Sequence, residues 1–150
     1  MKEKTLSVSA IKDGTVIDHI RSGAALKIMG VLRLYADQRQ TTIGLHLKSK
    51  SGGFKDIIKI ENVFLSEEEG AQIAVFSPSA TINVIQNYEV AKKFKVKMPE
   101  QVAQLLTCPN SRCIGNVEKV ATLFLIEENE AQITLRCKYC EKLFSQDQIS

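Results

Sequence analysis

Tryptophan is absent from this sequence, histidine occurs only twice, and aromatic residues make up just 6% of the chain. His19 stands beside Asp18, but neighbours on a strand point to opposite faces unless the backbone bulges, which is poor geometry for a general-base relay. His46 alternates with apolar residues, the pattern of a solvated strand face. No Walker A loop, GxGxxG or GxSxG motif occurs. Long apolar runs are missing too: stretches such as Leu123–Ile126 fall far short of the ~20 residues that span a bilayer. The opening MKEKTLSVSAIKD alternates where an export signal would run apolar. Catalysis, membrane association and secretion are therefore not expected, and the cytoplasm is the expected location.

What is present divides unevenly. Residues 1–98 hold 15 Lys and Arg against 10 Asp and Glu, whereas residues 99–150 hold 5 against 7. All four cysteines, Cys108, Cys113, Cys137 and Cys140, fall in the acidic part. The chain is long enough for two small domains, and the lysine-rich run from Lys92 to Lys97 suggests a boundary, giving 1–98 and 99–150.

The first part reads as alternating strands and helices. Leu6–Ile11 and Thr15–Ile20 are strand candidates. A helical stripe follows through Ala25, Ile28, Met29, Leu32 and Tyr35, with Ser22 as its N-cap. Thr41–Leu47 returns to period two, with Ile43, Leu45 and Leu47 on one face, and Lys55–Phe64 forms a further strand after Gly52-Gly53. Ser66 and Glu69 have capping-box spacing at the start of a helix that stops by Pro78. Thr81–Gln86 is the next strand, and Tyr88–Phe94 extends or follows it. This is the βαββαβ order of a ferredoxin-like sandwich. In the second part Pro99–Leu106 is expected to form a short helix, and two alternating strands around a turn near Asn129 make a small all-β unit. The expected class is α+β, with the second unit zinc-ribbon-like.

That second unit, of roughly 45 residues, is marginal without a staple. The cysteines supply one: Cys108-Pro-Asn-Ser-Arg-Cys113 and Cys137-Lys-Tyr-Cys140 are two close pairs on tight knuckles, joined by a hairpin. Such pairs set four thiolates at the corners of a tetrahedron, the arrangement of structural zinc. With four protein ligands no open position is left, so the site is read as structural. An iron–sulfur centre is the rival metal group, and two disulfides rank third in a reducing compartment. A nucleic-acid-binding ribbon would be basic, whereas this part is acidic, so nucleic acid is not the expected partner.

Gly14–Ile20 (GTVIDHI), Lys55–Glu69 (KDIIKIENVFLSEEE), Ala80–Lys93 (ATINVIQNYEVAKK), CPNSRCI and CKYCEKLFS together resemble the regulatory chains of aspartate carbamoyltransferase, in order and spacing, over nearly the whole sequence. The resemblance implies a non-catalytic subunit with a nucleotide-binding allosteric domain and a zinc domain. Such subunits pair as dimers that bridge catalytic trimers, with feedback inhibition of pyrimidine biosynthesis by CTP, help from UTP in some members, and activation by ATP. The family's nucleotide positions fall on Val8, Ile11, Asp18, His19, Ile57, Lys59, Asn83, Ile85, Tyr88, Val90 and Lys93. Its catalytic-chain contacts fall on Asn110, Lys138, Glu141 and Lys142. Arg112 replaces an asparagine of the family's knuckle, and Thr5 stands where a lysine is expected. Chemically the nucleotide set is coherent. Lys93 and His19 suit phosphates, Asp18 and Lys59 suit ribose hydroxyls and a base edge, and Val8, Ile85 and Val90 would wall the ring.

Overall fold

The computed structural model describes residues 10–130 and 132–149. The expected strand at Leu6–Ile11, and with it Val8, falls mainly outside these residues.

Two antiparallel sheets organise the described chain. The first contains β1 (Gly14–Arg21), β2 (Thr41–Lys48), β3 (Phe54–Glu61), β4 (Thr81–Gln86) and β5 (Glu89–Lys95), ordered β2-β3-β1-β4-β5. With helices α1 (Ala25–Val31) and α2 (Glu67–Phe76) this gives the ferredoxin-like βαββαβ unit plus one edge strand. Ile17, Ile58 and Ile82 meet across β1, β3 and β4 and are fully buried on one face. Ala25, Ile28 and Met29 of α1 and Ile73 and Phe76 of α2 belong to the same core. The opposite face carries Val16, Lys59, Asn83 and Lys93, and no helix among the described residues packs there. Among the described residues, the helices thus cover one side of the sheet only.

Ser66 caps α2 as its spacing predicts: Ser66 Oγ accepts from the Glu69 N–H, and Glu69 Oε1 accepts from the Ser66 N–H. Helix α1 differs from expectation. Its N-cap position is Ala24, without a side-chain cap, and Ser22 lies outside the helix. The N-terminal amides are instead satisfied from β3. Asp56 Oδ2 accepts from Gly23 N at 2.8 Å and Ala25 N at 3.1 Å, while Oδ1 accepts from His46 N at 2.9 Å. Tyr35, assigned to the apolar stripe, lies beyond the end of α1 and is exposed.

The pairings on both sides of β3 slip by one residue. In β1, Asp18 and His19 together oppose Ile57; in β2, Leu45 and His46 together oppose Asp56. Both histidines occupy left-handed backbone, with φ of 58° at His19 and 57° at His46. These are β-bulges, in which the extra residue is turned out of the ladder. The bulge in β2 breaks the expected common face of Ile43, Leu45 and Leu47. The one in β1 supplies the exception noted for the Asp18-His19 pair and brings the two side chains together.

The second sheet, β6 (Gln101–Ala103), β7 (Leu123–Asn129), β8 (Gln132–Cys137) and β9 (Leu143–Ser145), runs in that order. Residues 99–106 therefore contain a strand and not the expected helix. Val102 pairs with Phe124 and is buried, so tertiary packing overrides a weakly helical stretch. The Lys92–Lys97 run is likewise no simple linker, because Lys92, Lys93 and Lys95 belong to β5. Strands β4 and β5 form a hairpin whose two loop residues, Asn87 and Tyr88, both have positive φ, 52° and 66°. This is the primed turn that suits the strand twist.

Candidate functional site

The helix-free face of the first sheet gathers the expected nucleotide residues by register alone. Lys59 opposes Val16, Val16 opposes Asn83, and Asn83 opposes Lys93, forming one row across four strands. Directly opposed residues of an antiparallel pair share a face. One step of two along each strand places Ile57, Asp18 and Thr81 on the same face, and Ile85 with Val90 lies in the other direction. Ile57 and Ile85 are buried, whereas Val90 is exposed. Tyr88 sits at the hairpin tip, exposed, with its N–H donating to the Lys12 carbonyl beside buried Ile11.

At the far end of this face lies a cavity of about 550 Å³ lined by His19, Arg21, Ser49, Ser51, Gly52, Phe54, Lys55, Ser79, Thr81, Lys93 and Lys95, among others. Arg21, Lys55, Lys93 and Lys95 are its cations, and its described lining contains no carboxylate. Just beside it, Asp18 pairs with Lys55 at 3.0 Å and accepts from the His19 N–H at 2.6 Å. Burial pushes the Asp18 carboxyl up. The Lys55 hydrogen bond, the His19 N–H and the neighbouring positive charges more than offset that, holding it below its ordinary value. Burial pushes the Lys59 ammonium down, partly opposed by Asp18. The Ser79 hydroxyl donates to the His19 carbonyl at 2.8 Å and fixes the bulge from β4's side.

Arg21, Lys55 and Lys95 are absent from the set read in the sequence. Lys55 was within reach, because it lies on the same alternation as Ile57 and Lys59. Arg21 was not: simple alternation from Ile17 puts it on the helix face, and only the bulge returns it to the face of Asp18, opposite Lys55.

The second site is the four-thiol cluster. The sulfurs of Cys108, Cys113, Cys137 and Cys140 all lie within 4.8 Å of one another, with Cys108–Cys140 at 3.7 Å and Cys113–Cys137 at 3.6 Å. None is in a disulfide. Thiolates at zinc–sulfur distance, ~2.3 Å, stand ~3.8 Å apart at tetrahedral corners, so the donor set fits zinc closely. Burial pushes the Cys108 thiol up to about 12 and raises Cys137 as well. At Cys140 burial is outweighed by hydrogen bonds from Lys142 and Asn110 and by the adjoining cysteines, bringing it down to about 7.

Hydrogen bonds brace both knuckles. Asn116 Nδ2 donates to the carbonyls of Cys108 and Asn110, both at 2.8 Å, and the Arg112 N–H donates to Asn110 Oδ1 at 3.1 Å. The Arg112 contact uses its backbone, which any side chain allows. In the second knuckle the Tyr139 hydroxyl donates to the Ala121 carbonyl at 2.8 Å, and Arg136 Nη1 donates to that of Glu141 at 3.1 Å. Lys138, Glu141 and Lys142 are exposed around it, and Asn110 is half-buried. Exposed Ile114, Val117, Tyr139 and Leu143 add apolar surface nearby.

Two family models match this chain: residues 6–97 match the allosteric domain of the aspartate carbamoyltransferase regulatory chain, and residues 100–150 its metal binding domain. Among curated proteins, the aspartate carbamoyltransferase regulatory chain of Vibrio campbellii is 46% identical over 97% of this chain and 95% of its own length. That of Vibrio cholerae is 44% identical, covering 99% and 96% respectively. The Yersinia pestis protein of the same name is 49% identical over 93% and 90%.

Proposed function

Because the chain belongs to the family of aspartate carbamoyltransferase regulatory chains, we propose that it binds nucleoside triphosphates on the helix-free face and passes their identity to catalytic chains docked at the cysteine knuckles. As a regulatory chain it is the partner of a catalytic chain and not itself the enzyme. In this reading CTP inhibits, UTP assists it, ATP activates, and the chain forms a homodimer bridging catalytic trimers in the cytoplasm. Residues 1–98 act as the allosteric domain and residues 99–150 as the docking domain.

The observation that carries the nucleotide reading is the aligned row Lys59–Val16–Asn83–Lys93 leading into a cavity rich in cations. From Ile85 to Thr81 the face extends for about 13 Å, at ~3.3 Å per residue. An elongated ligand with an apolar ring at one end and negative charge at the other fits this layout. The base would lie by Ile11, Ile85, Val90 and the Tyr88 turn, where main-chain groups read it. Ribose hydroxyls would meet Asp18 and Lys59, and the phosphates His19, Lys55, Lys93 and Lys95. Val8, from the chain before β1, belongs with the base.

Cys108, Cys113, Cys137 and Cys140 would hold one zinc ion, which supplies a structural crosslink. Asn110, Lys138, Glu141 and Lys142, with the apolar residues around them, would then contact the catalytic chain. Nucleotide control requires different nucleotide affinities in two states of the assembly, and typical coupling is ~1–3 kcal/mol.

The test is aspartate saturation of the catalytic subunit with this chain added, with and without CTP. A displaced curve is expected; co-migration of the two chains without displacement would overturn nucleotide control and leave only the docking role. In the same assembly Lys93→Ala is expected to weaken CTP binding by about 1–3 kcal/mol, the loss of a charged hydrogen-bond partner. Unchanged affinity in calorimetry would remove Lys93 from the site.

A further inference from the structure

One cation of the pocket is fastened at a second place. Arg21 lines the cavity and lies directly opposite Lys55. Like charges facing each other on adjacent strands repel, and Asp18 compensates Lys55, not Arg21. Arg21 is drawn instead to the carboxyl end of α2. Its backbone N–H donates to Ser77 Oγ at 2.8 Å, and Nε donates to the Phe76 carbonyl at 3.4 Å. A helix C-terminus favours a cation, but 3.4 Å is at the long end for such a bond.

The same helix end is also bonded from the second unit. Gln146, just past β9 in the four-cysteine unit, donates through Nε2 to the Val75 carbonyl. Ser77 is completely buried, and its N–H donates to the Ile73 carbonyl, which ties it to the last turn of α2. Residues 75–77 therefore bond both a pocket residue and the metal-binding half of the chain.

We infer that Arg21 is a phosphate-sensing residue that reports occupancy of the pocket to the four-cysteine unit through the last turn of α2 and Gln146. This rests on the nucleotide reading above. A terminal phosphate offers the guanidinium a forked, charge-assisted pair in exchange for the long bond to Phe76. Taking that pair gives up the side-chain hold on Phe76 while the Arg21 N–H stays on Ser77 Oγ, and so loosens, without freeing, the turn on which Gln146 is fastened. Arg21 thus has two alternative partners, the two-arrangement element that coupling between sites needs.

The experiment uses the full assembly with catalytic chains and compares wild type, Arg21→Gln, Arg21→Lys and Gln146→Ala. Calorimetry reads affinity for CTP and for CMP, and aspartate saturation reads the CTP-induced shift. Arg21→Gln is expected to lower CTP affinity about tenfold with CMP affinity nearly unchanged, because only the phosphate end is altered. Arg21→Lys keeps a charge but loses the fork, so it should retain most CTP affinity and lose most of the shift. Gln146→Ala should bind CTP normally and give less than half the wild-type shift. Normal CTP affinity in Arg21→Gln, or a full shift in Arg21→Lys or Gln146→Ala, overturns the inference while wild type still binds CTP. A wild-type assembly that binds no CTP overturns the nucleotide reading itself, and the inference with it.

Discussion

Stripping the metal from the full chain should unfold the four-stranded sheet while leaving most of the five-stranded sheet protected. The cysteine-bearing unit is small: among the described residues, Val102, Leu106, Phe124, Leu135, Phe144 and Ile149 are its main buried apolar side chains besides the cysteines. Zinc binding to four-ligand sites is worth ~10–16 kcal/mol near neutral pH, comparable with or larger than the whole stability of a small domain. Without a cation the cluster also loses the charge that keeps its thiolates together. Burial holds Cys108 at about 12, so the thiol re-protonates at neutral pH. Metal affinity accordingly falls as pH falls, since protons compete for the same sulfurs, and a chelator should act more readily at lower pH. Hydrogen exchange followed by NMR provides the measurement. Amides of β7 and β8 should lose protection after chelation or in Cys140→Ser, while those of β1, β3 and β4 keep it. The exception should be the end of α2, where Gln146 reaches Val75. Retained protection in β7 and β8 would mean that the sheet stands without its crosslink.

Asp56→Ala is expected to cost roughly 3 kcal/mol or more, among the largest effects for one substitution outside the metal site. The carboxylate is completely buried and takes three backbone N–H groups from two different elements. Alanine leaves all three without their acceptor, at about 1–3 kcal/mol for each that stays buried. It also leaves the start of α1 uncapped, because Ala24 offers no replacement. Asparagine has nearly the same shape but places an amide NH₂ against donors on one side, so it should recover only part of the loss. Denaturant unfolding of the metal-loaded chain measures both. The two variants should also loosen the β2 bulge, whose neighbouring Ser49–Gly52 turn lines the pocket, so nucleotide affinity should fall with stability. An Asp56→Ala midpoint equal to wild type would show that water replaces the carboxylate at all three amides.

The parts of this molecule that local chemistry determines were legible in the sequence. The capping box at Ser66–Glu69, the two knuckles and the alternating strands of both sheets each depend on residues a few positions apart. The aligned row of Lys59, Asn83 and Lys93 was reached through family resemblance, but the strand register now gives its physical basis. What escaped depends on distant partners. Ser22 was the reasonable cap until a carboxylate 31 residues beyond Ala25 took the role. The strand at Gln101–Ala103 forms only because β7 offers it an edge. Leu47 was misplaced by counting alternate residues through the β2 bulge, the same count would misplace Arg21, and a single sequence carries no periodic trace of a bulge. The exposed hairpin Asn87–Tyr88 did carry such a trace, since asparagine tolerates the left-handed turn well.

Strand β5 closes one side of the five-stranded sheet, and nothing among the described strands pairs with its outer edge. Open edges invite other chains to add strands, and lysines are a common deterrent. Lys92, Lys93 and Lys95 thus give β5 a solubility role beside any part in binding anions. If the nucleotide reading holds, replacing Lys93 and Lys95 with small apolar residues should weaken phosphate affinity and the guard against aggregation together. Glutamine substitutions, polar and uncharged, separate the two effects more cleanly than alanine. Polyanions that mask the same ammonium groups at high protein concentration remove the guard without any mutation, so precipitation under those conditions reports on this edge and not on a loss of fold.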